Sequence, residues 1–350
     1  MSRTFWTDTV AAGMLVEPGQ QIGLDLPAKV PEGRVPFALK LAADLSATVP
    51  TPGTGGTLAL WDVLSRLAAY DLSIARTLEP HFDALAILAQ AGLSPADLGA
   101  DDRSTWGVFA AEGPAGRLTA RETHTGWIVD GVKPWCSLAG QLSHALVTAW
   151  TSVTTRRLFA VSLGLDVVPQ TSAWASRGLV EIPSAPAHFS TVAATPIGDD
   201  GWYLVRPGFW WGGIGVSACW YGGAAAVAGR LMPQPGGKAP DQIAHRDLGH
   251  VDVLLHAART ALRQAAALVD EADAREGDEV LARRVRGLVR SVADDVLLAT
   301  ARATGPAPLT FEESHARRVS DLSVYVRQDH GDRDLAELGT RLAAGGYRQP

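Results

Sequence analysis

The sequence predicts an α+β chain in three parts: a helical N-terminal domain over residues 1–104, a central β-barrel or sandwich domain over 105–205, and a C-terminal antiparallel four-helix bundle over 206–350. Three observations carry this. Apolar residues recur at helical intervals up to about residue 104, the period falls to two between about 105 and 205, and helical spacing returns from 206 onward. With 350 residues, 47% of them hydrophobic, the chain has enough apolar material for more than one packed unit.

The elements follow in order. The stretch ALWDVLSRLAAYDLSIARTLEPHFDALAILAQAG sets Leu60, Leu64, Leu67, Leu72, Ile74, Leu78, Leu85 and Leu88 on helical faces. Pro80 marks the first turn of a new helix after a break, because proline is tolerated there and not in a helix interior. TVPTPGTGG before it is a loop. In the middle region GWIVDG and VKPWCS flank Asp130-Gly131, a two-residue hairpin signal. SHALVTAWTS and TRRLFAVSL form another strand pair, and PAHFSTVAATPIG and GWYLVRPG continue the strand texture. Beyond it, GHVDVLLHAARTALRQAAALVDEADA carries Val251, Leu254, Leu255, Ala258, Leu262, Ala265 and Val269 on one face. DEVLARRVRGLVRSVADDVLLATARAT and SHARRVSDLSVYVRQDHGDRDLAELGTRLAA are two further long amphipathic helices. With residues 207–229 they make the four of a bundle.

Composition narrows the function classes. The net charge is −6 and no basic stripe appears, so nucleic acid is not an expected partner. Two cysteines, Cys136 and Cys219, are too few for a disulfide framework, and no Cys/His cluster has zinc spacing, so a reducing cytoplasm and no metal are expected. The opening residues MSRTFWTDTVAAGML lack the apolar core of a signal peptide. Residues 207–229, PGFWWGGIGVSACWYGGAAAVAG, are uncharged and long enough for a bilayer. They are crowded with Gly and Ala, no second such segment exists, and the mean hydropathy is +0.06. A buried helix at a close packing contact is the reading, with no membrane span.

The segment GWIVDGVKPWCSLAG ends its second strand in Trp135-Cys136-Ser137. Together with the α–β–α order, Gly131, Lys133, Trp135, Cys136 and Ser137 match the G-x-K-x-W-[IC]-[ST] hairpin of the acyl-CoA dehydrogenase superfamily, and the chain resembles those flavoproteins from about residue 60 onward. The resemblance implies FAD between the β domain and the bundle, with Trp135 and Cys136 beside the flavin ring and Ser137 hydrogen-bonding its N5/O4 edge. A redox role for the Cys136 thiol is the less favoured alternative to a buried, inert cysteine.

Other family motifs are altered. FAAEGPAGRL, from Phe109 to Leu118, stands where the family has a TEP-x-x-G-S-D loop. Glu112 and Gly116 match, while Ala111, Arg117 and Leu118 replace threonine, serine and aspartate. Phe109 and Ala111 would face the cofactor, and Arg117 offers charge to a substrate phosphate or carboxylate. HRDLGHVDVLLH keeps the spacing of the family's R-x-x-F-G…Q pyrophosphate segment with His245, Leu248, Gly249 and His256, and Arg246 is one step away. RATGPAPL corresponds to the glycine-rich loop that reaches a neighbouring subunit's cofactor. There Arg302 takes the glutamine position, Gly305 is kept, and Pro306 and Pro308 stiffen the loop.

The family's catalytic carboxylate stands eight residues after the aspartate of an R-D pair. Here the pair is Ser320-Asp321, which makes Asp329 the implied base and His330 the second choice. A charged turn in RQDHGDRD, with its ions neutralising one another, is the alternative. No carboxylate occurs in LVRPGFWW, the family's other base position. The leading expectation is α,β-desaturation of an acyl-CoA or related thioester, with electrons passed to an electron-transfer flavoprotein. The alternatives are a two-component flavin-dependent monooxygenase, and a flavin-poor homologue acting as a structural or binding subunit. All three imply a homodimer or homotetramer.

Overall fold

The structure is a computed structural model that describes residues 13–17, 19–170, 174–233, 239–271 and 278–345. Residues 1–12, most of the stretch on which the signal-peptide reading rests, lie outside the described residues. The first three helices are α1 (Arg34–Ser46), α2 (Thr57–Tyr70) and α3 (Leu72–Gln90). The break between α2 and α3 falls at Asp71, which is extended at φ −158° and ψ 128°, and not at Pro80. The Asp71 carboxylate accepts from the backbone N–H groups of Ser73 and Ile74, a cap that contributes about 1 kcal/mol. Pro80 therefore sits inside α3, at the cost of the hydrogen bond to the Arg76 carbonyl. Leu78, Phe82, Ala84 and Ile87 are buried on either side of it, and that packing carries the helix through.

Seven strands form one sheet: β1 (Trp106–Phe109), β2 (Leu118–Thr123), β3 (Gly126–Lys133), β4 (His144–Trp150), β5 (Arg156–Ser162), β6 (Val167–Pro169) and β7 (Ala187–Ile197). The order β4–β2–β3–β7–β5 closes back on β4, a small barrel, with β1 also on β4 and β6 on β7. Asp130-Gly131 is not the hairpin turn. The turn lies at Thr123–Gly126, and β3 runs straight through Asp130. The pairing of β3 with β7 shifts register between Val129 and Gly131, so the pair makes a β-bulge. Gly131 has φ +117°, and a Cβ there would overlap the Arg117 carbonyl. The Asp130 carboxylate accepts from the Thr191 N–H at 2.9 Å, which serves β7 and not a turn. GWYLVRPG is likewise not a strand: the left-handed residues Gly198 and Gly201 end β7, and Trp202–Val205 is a helical turn. His81 of α3 fastens the sheet to the helices, its Nδ1 accepting from the Trp106 N–H at 3.2 Å.

The remaining helices are α4 (Gly208–Ala228), α5 (Gln242–Asp270), α6 (Asp278–Thr304), α7 (Glu313–Tyr325) and α8 (Asp332–Ala343). The last amphipathic segment thus splits in two, because a 3-10 turn at Val326–Gln328 and the left-handed Gly331 interrupt it. The uncharged segment is the buried helix α4, which touches α2, α3, α5, α6 and α7. Among the described residues no helix is long and apolar enough to cross a membrane. The small residues of α4 have a steric reason: a Cβ at Gly222 would overlap the Ser65 carbonyl of α2, and one at Gly223 would crowd Leu72 and Leu322.

Gly222→Ala should therefore lower the unfolding free energy by about 1–3 kcal/mol through forced separation of α2 and α4. Gly249→Ala, on α5 with no atom within 4 Å of the added carbon, should raise it by up to about 1 kcal/mol through helix propensity. Denaturant melts of the two variants check the pair, and equal effects would contradict the packing.

Candidate active site

The Trp135–Leu138 loop follows β3 and is built from strained backbone. Trp135 and Leu138 have φ +60° and +58°, conformations that cost a non-glycine residue free energy and persist only under external support. Lys133 anchors the entry: its buried Nζ donates to Glu112 Oε1 at 2.6 Å and Thr148 Oγ1 at 2.8 Å. Glu112 also accepts from Trp150 Nε1, which ties the Phe109–Leu118 loop to the barrel. The Trp135 indole is 55% exposed and lies against Gly113 of that loop, where an added Cβ would come within 3.3 Å of Nε1. Cys136 is buried, its Sγ donates to the Lys133 carbonyl, and burial pushes its thiol up to about 12, so it stays protonated.

Ser137 faces the helices. Its Oγ accepts from Arg76 Nη2 at 2.9 Å and shares a hydrogen bond with Ser184 Oγ at 2.8 Å. Arg76 lies on α3, its guanidinium 5.8 Å from the Tyr325 ring, and its buried Nη1 has no hydrogen-bond partner. One turn on, Glu79 is 3.7 Å from Arg76 Nη1. Burial raises the Glu79 carboxyl to about 7, with Asp83 adding to the shift and Arg76 and Arg286 opposing it. Glu79 and Asp83 line a narrow slot between α2, α3 and α4, walled by Leu60, Trp61, Leu64, Phe82 and Trp211. Its free volume of about 20 Å³ is that of a single water.

The predicted residues divide into groups. Trp135, Cys136 and Ser137 come together beside the Phe109–Leu118 loop, where Phe109 is core and Ala111 is exposed. Arg117 sits over the Trp150 ring, its guanidinium carbon 3.8 Å from the centroid, and donates to the Ser152 and Val153 carbonyls. Arg246 and Arg302 line one cavity of about 320 Å³ between α5 and α6, together with Asp247, His250 and Asp295. His245 and His256 are exposed on α5 outside that lining, and Gly305 ends α6 at φ +67°. Asp329 is buried between arginines of α6: Oδ1 lies 3.2 Å from Arg290 Nε, Oδ2 lies 3.9 Å from Arg286 Nε, and Oδ1 accepts from the Gly331 N–H. His330 points outward, 74% exposed, beside Asp334.

Arg76 and Glu79 were not singled out from the sequence. The available signal was a charged pair on an apolar helix: Arg76 and Glu79 fall among Ile74, Ala75, Leu78 and Phe82, positions that a packed helix keeps apolar. The residues fit a flat cofactor with an acceptor edge. Trp135 offers a half-exposed wall, and Ser137 Oγ stands beside Arg76, whose Nη1 makes no hydrogen bond and only the long ion pair with Glu79.

No family model and no curated protein matches the sequence. Solved structures with a similar fold include butyryl-CoA dehydrogenase from Megasphaera elsdenii, at TM-score 0.72 and 18% identity over 92% of this chain and 100% of that one. They include the dibenzothiophene monooxygenase TdsC of Paenibacillus sp. A11-2 in complex with FMN and indole, at TM-score 0.70 and 17% identity over 91% and 98%. Methanesulfinate monooxygenase MsuC from Pseudomonas fluorescens aligns at TM-score 0.67 and 17% identity over 90% and 98%. The chain thus has the acyl-CoA dehydrogenase fold, the one its sequence resembles, which also serves flavin monooxygenases.

A carboxyl raised from 4.5 to about 7 binds its proton more tightly folded than unfolded. Its contribution to stability is therefore complete below about pH 4.5 and is lost as pH rises through about 7. Between pH 5 and pH 8, Glu79→Gln should gain stability relative to the unmodified chain by on the order of 3 kcal/mol. A difference that stays flat across that range, measured by urea melts at each pH, would refute the assignment.

Proposed function

We propose that the chain is a flavin-dependent oxidoreductase of the acyl-CoA dehydrogenase superfamily that desaturates an acyl thioester, with Glu79 as the proton acceptor. The supporting observation is the buried sequence Ser137–Arg76–Glu79. It joins the loop that would carry the cofactor to a carboxyl poised at about pH 7 in an apolar slot. Glu79 takes the α-proton of the substrate, whose chain lies between Leu64, Phe82 and Trp211. Trp211 must move to admit it, since its ring packs over Gly53 and its Nε1 donates to Asp278 at 3.1 Å. Trp135 flanks the flavin ring, and Ser137 and Arg76 donate to its polar edge. When bound, the flavin supplies the acceptor for the β-hydride.

In this reading Asp329 orients Arg286, which faces Glu79, and is the second candidate for the base. Arg246 and Arg302 would meet the phosphates of FAD, completed by a second copy of the chain, and an electron-transfer flavoprotein would take the electrons. The three-domain division at 104/105 and 205/206 belongs to the same reading. A two-component monooxygenase is the second reading, favoured by the 55% exposure of Trp135, which leaves the ring position open to a diffusible flavin.

The test is the visible spectrum of the protein loaded with FAD and desalted, followed by anaerobic addition of acyl-CoA thioesters. Flavin should be retained, bleached by thioester, and largely lost in Trp135→Ala. Glu79→Gln should keep its flavin and bleach at least about 10²-fold more slowly. Bleaching at the unmodified rate in Glu79→Gln would move the base to Asp329. Indifference to thioesters with rapid oxygen uptake after chemical reduction would select the monooxygenase, and a colourless protein would end both flavin readings.

A further inference from the structure

The Ser137 loop is held from outside by the segment Trp174–Pro186, which crosses from the sheet to helix α7. The Cys136 N–H donates to the Ala185 carbonyl at 3.0 Å, and the Leu138 N–H donates to the Pro183 carbonyl at 3.0 Å. Ser184 Oγ meets Ser137 Oγ between them. All three anchors of the strained loop on this side come from three consecutive residues, so the loop can be no better placed than the segment behind it.

The segment is fastened at its other end. The Leu179 N–H donates to Asp321 Oδ1 at 2.5 Å, although Leu179 has φ +52°. Gly178 lies directly on the α7 backbone, where a Cβ would overlap the Ser320 carbonyl. Glu181 Oε1 accepts from Arg317 Nη2 at 2.9 Å and from Arg34 Nη1 at 3.2 Å. Arg34 Nε also donates to Asp71, the residue that caps α3 and so sets the start of the helix bearing Arg76. Arg317 Nε lies 3.6 Å from Asp321. Two hydrogen-bonded routes, one through the segment and one through the α3 cap, thus reach the two partners of the Arg76–Ser137 contact from a single ionic cluster.

We propose that Asp321 and Glu181 are positioning residues, which latch the Trp174–Pro186 segment onto α7 and α1 and thereby fix the Ser137 hydroxyl. The role of Ser137 toward a flavin rests on the function proposed above; the latch itself does not. Releasing the latch frees the Ala185 and Pro183 carbonyls from the loop, relaxes the left-handed residues, and uncovers Cys136. Burial pushes the Asp321 carboxyl up to about 6, so a neutral side chain that keeps an acceptor oxygen is compatible with the site.

The experiment uses the full chain without added flavin and has two readouts, thiol labelling of Cys136 scored by peptide mass and tryptic cleavage after the exposed Arg177. Asp321→Ala and Glu181→Ala should each speed both by about tenfold or more, the effect of losing one hydrogen bond to a charged group. Cys219, buried in α4, serves as the internal reference and should stay unlabelled. Asp321→Asn should remain near the unmodified chain, because its amide oxygen still accepts from Leu179. Glu181 is partly exposed, and Arg34 and Arg317 keep Asp71 and Asp321 as partners, so its truncation leaves neither arginine unpaired and tests the latch even if Asp321→Ala fails to fold. Loaded with FAD, Glu181→Ala should bind it about tenfold more weakly, and adding Ser137→Ala should weaken it no further. Cys136 and Arg177 as protected in both alanine variants as in the unmodified chain would overturn the latch. Faster labelling in a protein that binds no flavin would leave the latch standing and remove the flavin reading.

Discussion

The contact on which the structure depends is the approach of α4 to α2 at Gly222 and Ser65, backbone against backbone. A helix that touches five others from the centre of the molecule has no side on which charged side chains fit, and it carries none. Its polar neighbours must be supplied from around it. Arg76 and Glu79 come from α3, Arg286 from α6 and Tyr325 from α7, and they collect where Cys219 and Trp220 of α4 leave room. The glycines are thus more than a packing device, because they decide which helices supply the buried polar side chains around α4.

Desolvation and charge pairing are balanced closely in this region. Arg286 is buried between the Trp220 ring, the Gly213 carbonyl and Asp329, and burial draws its pKa down while Asp329, Asp334 and Glu79 oppose this. Breaking such a pair from one side leaves an uncompensated charge, a larger penalty than the pair's net contribution. Asp329 therefore has a structural reason to be a carboxylate independent of catalysis. Counting residues along the chain could not reveal it, because the two arginines that clamp it stand one turn apart on another helix.

The periodicity of the sequence was sufficient for the helix–strand–helix order and for the burial of residues 207–229, since both follow from local pattern and hydropathy. At Trp135–Ser137 the residue types carry the resemblance to the family, while the turn the same stretch suggests lies elsewhere, at Thr123–Gly126. The sequence pattern failed where one local signal serves two geometries. Asp130-Gly131 suits a tight turn and an irregular strand position equally, and only the pairing with β7, which gains an extra residue at Ser190–Thr191 opposite Asp130, selects the strand. Pro80 suits a helix start until Asp71 is seen to hold that cap. Arg76 meets Ser137 across 61 residues and a change of secondary structure, and no spacing rule reaches that far.

Only four of the 31 basic side chains are lysines, and apart from Lys133 the cations paired with carboxylates inside the described structure are arginines, which keep their charge throughout the physiological range. His81 is drawn down to about 4 and Cys136 is pushed up to about 12, which leaves both silent near neutrality. Glu79 at about 7 and Asp321 at about 6 are different. As the surroundings acidify from about pH 8 to about pH 5, each of these carboxyls takes up a proton while the arginine beside it stays cationic. The surroundings of Arg76 and Arg317 then carry more positive charge than at neutral pH, which is a change of field and not of fold.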